Sequence, residues 1–162
     1  MKRLIISLLT LSLTPATFAF DSRVFPPTFT CQGTPNLNLT RGNPVYTPED
    51  EKQLGLSQVT VQVGEVLPQR PGRPSGFRSV VIQGTKAAMI EEDSEGKNEV
   101  FDSLDGMTHL ALRTDPRATK LSNTFFLVLN ELGKGSLELT LTSGQARVYT
   151  YDLKCSFAHA GL

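Results

Sequence analysis

The chain has 162 residues, 16 basic against 16 acidic, no tryptophan and only two cysteines. That length suits one domain with a real core. Zero net charge excludes a general attraction to nucleic acid or anionic membrane surfaces.

The first 19 residues read MKRLIISLLTLSLTPATFA. Lys2 and Arg3 form a positive start, Leu4 to Leu13 a short apolar run, and Thr17 and Ala19 the small-residue positions of a cleavage site. This is the order of a secretory signal peptide. A membrane span needs roughly 20 apolar residues, about twice this run. Cleavage after Ala19 takes 19 from 162 residues and leaves a single β domain, 20–162. It loses two of the 16 basic residues, so 14 face 16 acids, a net charge of −2. The expected product is exported, periplasmic or extracellular, with no membrane span and no nucleic-acid partner.

A first strand is expected at 28–32, containing Cys31. Asn38-Leu39-Thr40 matches a glycosylation sequon, read as a chance match. The stretch TPEDEKQLG then has Thr47 at an N-cap position and Pro48 at the first helical position. Acids fill the first turn, and Gly55 lies just past the end. Each residue meets the need of a helix terminus, so a short helix is expected at 48–54.

From there the period is two. Val59, Val61 and Val63 share one face of a strand at 57–67. QRPGRPSGFR follows at 69–78, with Arg70, Arg73 and Arg78 among Pro71, Pro74 and two glycines. Proline stiffens this connection. Its ordinary reading is a soluble linker between strands. Its functional readings are a carboxylate or anion site, which arginine forks suit, and a stiff loop that inserts into a partner. The binding candidates are Arg70, Arg73, Phe77 and Arg78.

A strand follows at 77–92, with Gly84 marking a bulge or bend. The acidic stretch Glu91-Glu92-Asp93-Ser94-Glu95 is a charged hairpin tip without the residue order of a calcium loop. Ser94-Glu95-Gly96-Lys97 matches SxxK, but in a polar turn rather than on the helix that would bring Lys to Ser. Strands at 98–104 and 107–114 are joined by Asp105-Gly106, which reads as a two-residue hairpin turn. Asp115-Pro116 could open a single helical turn. Strands at 123–132, 136–142 and 146–157 complete the set, linked through Gly133-Lys134-Gly135 and Ser143-Gly144. FFLVL at 125–129 is a continuous apolar run, which predicts a strand covered on both faces. Tyr149, Tyr151, Leu153, Cys155 and Phe157 share a face on the last strand.

The cysteines decide the topology. An isolated pair in an exported chain reads as a disulfide, Cys31–Cys155. A bond needs Cα atoms within roughly 4.4–6.8 Å, so the first and last strands must meet. The expected fold is therefore all-β: about eight antiparallel strands in a meander that closes as a small barrel, with a β-sandwich as the alternative. The helix would cover one end.

Catalytic chemistry finds little support. There is no GxSxG. His109 lies on a strand opposite Leu110 and Leu112, and His159 lies at the terminus. Two distant histidines and a bonded cysteine pair do not make a zinc site. The sequence thus reads as an exported, non-enzymatic barrel of binding or inhibitor-like character, without cofactor or metal. Its partner would be a protein or a small envelope-derived ligand. The alternatives are a structural or accessory envelope protein without a pocket and, further off, a hydrolase-type enzyme. A hollow interior would favour a ligand carrier; one filled by Phe, Leu and Tyr would favour the structural or accessory protein without a pocket.

Overall fold

The computed structural model describes residues 24–36, 47–67, 76–91, 94–114, 123–142 and 146–157. The segment read as a signal peptide, the sequon, Asp115-Pro116 and His159 lie outside them. Nine strands and one helix follow in order: β1 (Phe29–Pro35), α1 (Pro48–Leu54), β2 (Val59–Val66), β3 (Phe77–Gln83), β4 (Ala88–Ile90), β5 (Glu95–Asp102), β6 (Thr108–Thr114), β7 (Asn123–Asn130), β8 (Lys134–Leu141) and β9 (Arg147–Ser156).

Eight strands form a closed antiparallel barrel, with β4 outside the ring. Around the ring the order is β1, β2, β3, β5, β6, β7, β8, β9 and back to β1, a pure meander. The seam pairs the first strand with the last, and Cys31 lies directly opposite Cys155. The two are disulfide-bonded, with Cα atoms 3.8 Å apart, closer than the usual range.

Period-two patterning explains which side chains fill the barrel. Val59, Val61 and Val63 point inward from β2, and Leu110 and Leu112 from β6. Phe125, Leu127 and Leu129 do so from β7, Leu137, Leu139 and Leu141 from β8, and Tyr149, Tyr151 and Leu153 from β9. These residues belong to one buried cluster, so the interior is packed with side chains. Phe25 enters from the segment before β1. Its ring meets that of Phe157 edge to face at 5.9 Å, and Phe157 meets Phe29 at 5.2 Å. Three aromatic rings thus cover the end where β1 starts and β9 finishes.

The opposite end is covered by α1, whose bounds match the capping signals. The Thr47 hydroxyl accepts from the Asp50 N–H, and Gly55 adopts φ +69° beyond the last turn. The C-terminal carbonyls of α1 are met by the connection between β3 and β4. Lys86 Nζ donates to the carbonyls of Glu51 and Lys52, and Lys86 N–H to that of Leu54. A side chain at Gly84 would strike the Leu54 carbonyl at 2.0 Å, so glycine there permits the close approach.

Four local expectations need correction. The strand expected at 77–92 is two, β3 and β4, because the chain turns at Gly84 through Gly84 N–H to Ala87 O. Ser94-Glu95-Gly96-Lys97 is not a turn: β5 begins at Glu95. FFLVL is not covered on both faces, for Phe126 is 47% exposed while Phe125 and Leu127 are buried. Asp105-Gly106 sits in a wider loop, since the last rung is Asp102 with Thr108 and Ser103 N–H bonds Met107 O.

Candidate functional site

Of the four binding candidates, Arg70 and Arg73 lie outside the described residues. Phe77 and Arg78 open β3, and both are buried. Arg78 shares its face with Val80 and Ile82, so its guanidinium enters the barrel. There Nη1 donates to the carbonyls of Pro27 at 2.8 Å, Pro26 at 3.2 Å and Gly64 at 3.4 Å. The guanidinium carbon stands 5.9 Å from the centre of the Phe29 ring, within cation–π range. Burial pushes its pKa down to about 10, which still leaves a cation at neutral pH. Arg78 therefore ties the segment carrying Phe25 to β2 and β3. Arg78 is thus a buried residue and not part of an exposed binding surface.

The sequence held no hint of a second charged cluster at the α1 end. Asp50 on α1 is buried, and its carboxylate accepts from Tyr149 OH at 2.7 Å and Arg147 Nη2 at 2.8 Å. Arg147 Nε stands 2.6 Å from the second oxygen as an ion-pair contact rather than an aligned hydrogen bond. Burial raises the Asp50 pKa, but hydrogen bonds from Tyr149 and Thr47 and the Arg147 charge outweigh it, leaving the carboxyl below its ordinary range. Burial and the neighbouring carboxylate push Tyr149 the other way, to about 12. Arg147 and Tyr149 open β9, so the cluster fastens α1 across the barrel end. Tyr151 OH adds a bond to the Leu56 carbonyl at 3.1 Å.

An acid, a base and a hydroxyl meet here, yet the arrangement is poorly suited to proton transfer. The carboxylate is held ionised and the phenol neutral throughout the ordinary pH range, whereas a general base works best with a pKa near the working pH. His109 is more accessible than Asp50. Its Nε2 stands 3.7 Å from Asp105 and its Nδ1 3.1 Å from the Met107 carbonyl, while its ring stacks on Phe101 at 5.5 Å. Among the described residues no group of three or more His, Cys, Asp or Glu could hold a metal ion. No helix among them is long and apolar enough to cross a membrane.

The outer face of β1, β2 and β3 carries an open depression of about 670 Å³. Thr28, Thr30, Gln62, Ser79 and Ser156 line it around Gly64, and none of these is charged. It follows a register shift between Val63 and Val66 on β2, a bulge of the kind that bends a barrel wall.

Fold and geometry define a class: a small, filled, disulfide-closed antiparallel barrel. No protein-family model matches the chain, and comparison with curated proteins and with solved structures gives no match.

Proposed function

We propose that this is an exported, non-catalytic barrel that works by binding another protein through its outside and rim, not by carrying a ligand within. The observation that sets this reading apart from a ligand carrier is the filled interior. Tyr151, Leu110, Leu112, Leu127, Leu129, Leu137 and Leu139 are fully buried in the barrel, where a carrier would keep a cavity. The disulfide between Cys31 and Cys155 is compatible with an oxidising, exported compartment. β2 ends at Val66 and β3 begins at Phe77, at the barrel end that carries the aromatic plug, and Arg70 and Arg73 lie between them in the sequence.

The test is photo-crosslinking from position 73 of the full chain in an envelope extract, beside native mass spectrometry of the purified protein. The reading expects a discrete protein adduct that Arg70→Ala/Arg73→Ala weakens, and no co-purifying small molecule. Arg78 stays unchanged in this experiment because its loss would disturb the core. A small molecule released only on unfolding would overturn the reading in favour of a carrier. An absence of adducts would leave the structural, accessory role as the better account.

A further inference from the structure

The barrel wall is uneven at the β5–β6 hairpin. β5 pairs with β3 only through Glu95, Gly96 and Lys97, followed by one bond from Asn98 N–H to Gly76 O. Its pairing with β6 continues to Asp102. Glu99 to Asp102 therefore have β6 on one edge and, among the described residues, no strand on the other. Backbone groups alternate sides along a strand. Since the Asn98 N–H faces the β3 side, the N–H and C=O of Val100 and Asp102 face that open edge too.

The surface around this edge is apolar. Val100 is 37% and Phe101 45% exposed, and Leu104 at the hairpin tip is fully exposed at 108%. Leu132, 60% exposed, belongs to the neighbouring β7–β8 turn. Glu131 N–H bonds Thr108 O, and the Glu131 carboxylate accepts from Thr108 N–H, so the two turns stand side by side. Four of the six large apolar side chains exposed among the described residues thus lie on the end of β5 and on the two adjoining turns. Isolated exposed apolar residues are ordinary, but a group beside an unpaired strand edge is a pairing template.

Charge selects the occupant. Lys97 at 2.8 Å and Arg113 at 3.3 Å already balance Glu99. Asp102, Asp105 and Glu131 remain, bonded to Thr108 Oγ1, Met107 N–H and Thr108 N–H; Asp105 also stands 3.7 Å from His109 Nε2, and none of the three meets a lysine or arginine among the described residues. A second copy of the chain would bring its own Asp102 and Asp105 to this edge, where a basic segment brings complementary charge.

We propose that the Glu99–Asp102 edge of β5 receives an extended segment of another protein, in which basic side chains alternate with apolar ones, as an added β-strand. Backbone pairing to Val100 and Asp102 would supply affinity, and Phe101 with the acidic flank would supply selectivity. The inference rests on the reading of the chain as a protein-binding barrel.

The test uses the purified full chain and two capped octapeptides, one alternating Val and Lys, the other Val and Glu. Amide hydrogen exchange at Val100 and Asp102 should be fast in the free protein. It should slow about tenfold or more with the Val/Lys peptide and not with the Val/Glu peptide. Val100→Pro removes one outward N–H at an edge position, where proline is tolerated, and should abolish the slowing at Asp102. Asp102→Lys/Asp105→Lys should exchange the peptide preference while leaving the backbone edge intact. Amides already protected in the free protein would overturn the proposal. So would equal slowing by both peptides, no slowing by Val/Lys, or a concentration-dependent dimer that protects the same amides. If the crosslinked partner persists while the edge fails these tests, the protein-binding reading stands and the edge assignment falls. If the edge binds peptide and no protein adduct forms, the reverse holds.

Discussion

Replacing Asp50 with alanine removes the acceptor that fastens α1 to the start of β9. Two charge-assisted bonds, from Tyr149 OH at 2.7 Å and Arg147 Nη2 at 2.8 Å, lose their acceptor. Such bonds contribute about 1.5–3 kcal/mol each when a charged group is involved. The Arg147 side chain is 28% exposed and can recover part of its share from water. Tyr149 is buried and recovers less. The expected loss is therefore about 3 kcal/mol, or roughly 10 °C in Tm for a domain of this size. Thermal unfolding followed by circular dichroism measures it. Tyr149→Phe should cost about 1.5 kcal/mol. The Asp50→Ala/Tyr149→Phe double variant should lose less than the sum of the singles, because the two share one bond. Strict additivity, or an Asp50→Ala variant within about 2 °C of the parent, would refute the assignment of this cluster as the fastening of α1. The sign with pH follows from the lowered carboxyl pKa. The contribution is complete above the unfolded carboxyl's pKa and is lost as pH falls through the lower folded value. The gap between parent and Asp50→Ala should thus narrow only in strong acid.

The remaining expectations are briefer. Tyr149 has its folded pKa raised to about 12, so the stability advantage of the parent over Tyr149→Phe should hold up to about pH 10 and shrink between 10 and 12; urea titrations across that range measure it. Arg78→Ala should cost about 3 kcal/mol and speed amide exchange at Val24, Phe25 and Thr28, while Arg78→Met, which keeps volume and removes the buried charge, should cost less. Cys31→Ala/Cys155→Ala opens a loop of 124 residues and should lower stability by about 2–5 kcal/mol in denaturant unfolding. Gly84→Ala would drive its Cβ against the Leu54 carbonyl and should cost about 1–3 kcal/mol, with the greatest loss of exchange protection in α1.

Local signals carried the fold a long way. The Thr47-Pro48 start and Gly55 stop of α1 were legible because a helix terminus needs those groups whatever surrounds it. Closure was legible because two cysteines at opposite ends of an alternating chain leave few ways to meet. Gly84 was legible as a bulge or bend, but not as the end of one strand before the start of another, for the close approach there is to the Leu54 carbonyl, a tertiary neighbour. The inward turn of Arg78 was hidden for another reason. Val80 and Ile82 share its face, but Phe77 and Val81 occupy the other, so alternation alone could not say which face was the core. Asp50 looked like a dipole-matched acid in the first turn; its partner Arg147 lies 97 residues away. The open edge of β5 was hidden because it depends on where β3 stops pairing.

The contact between β1 and β9 also governs the order of assembly. Every other rung in the ring joins strands adjacent along it in the meander, whereas this one must bring residues more than a hundred positions apart together, the slow kind of contact to form. Because Cys31 and Cys155 are themselves register partners, oxidation fixes which rungs can meet. A slip of one residue would turn each inward side chain of β9 outward. Where the chain folds in an oxidising compartment, the oxidant that forms this bond would also choose the alignment of the last rungs to close.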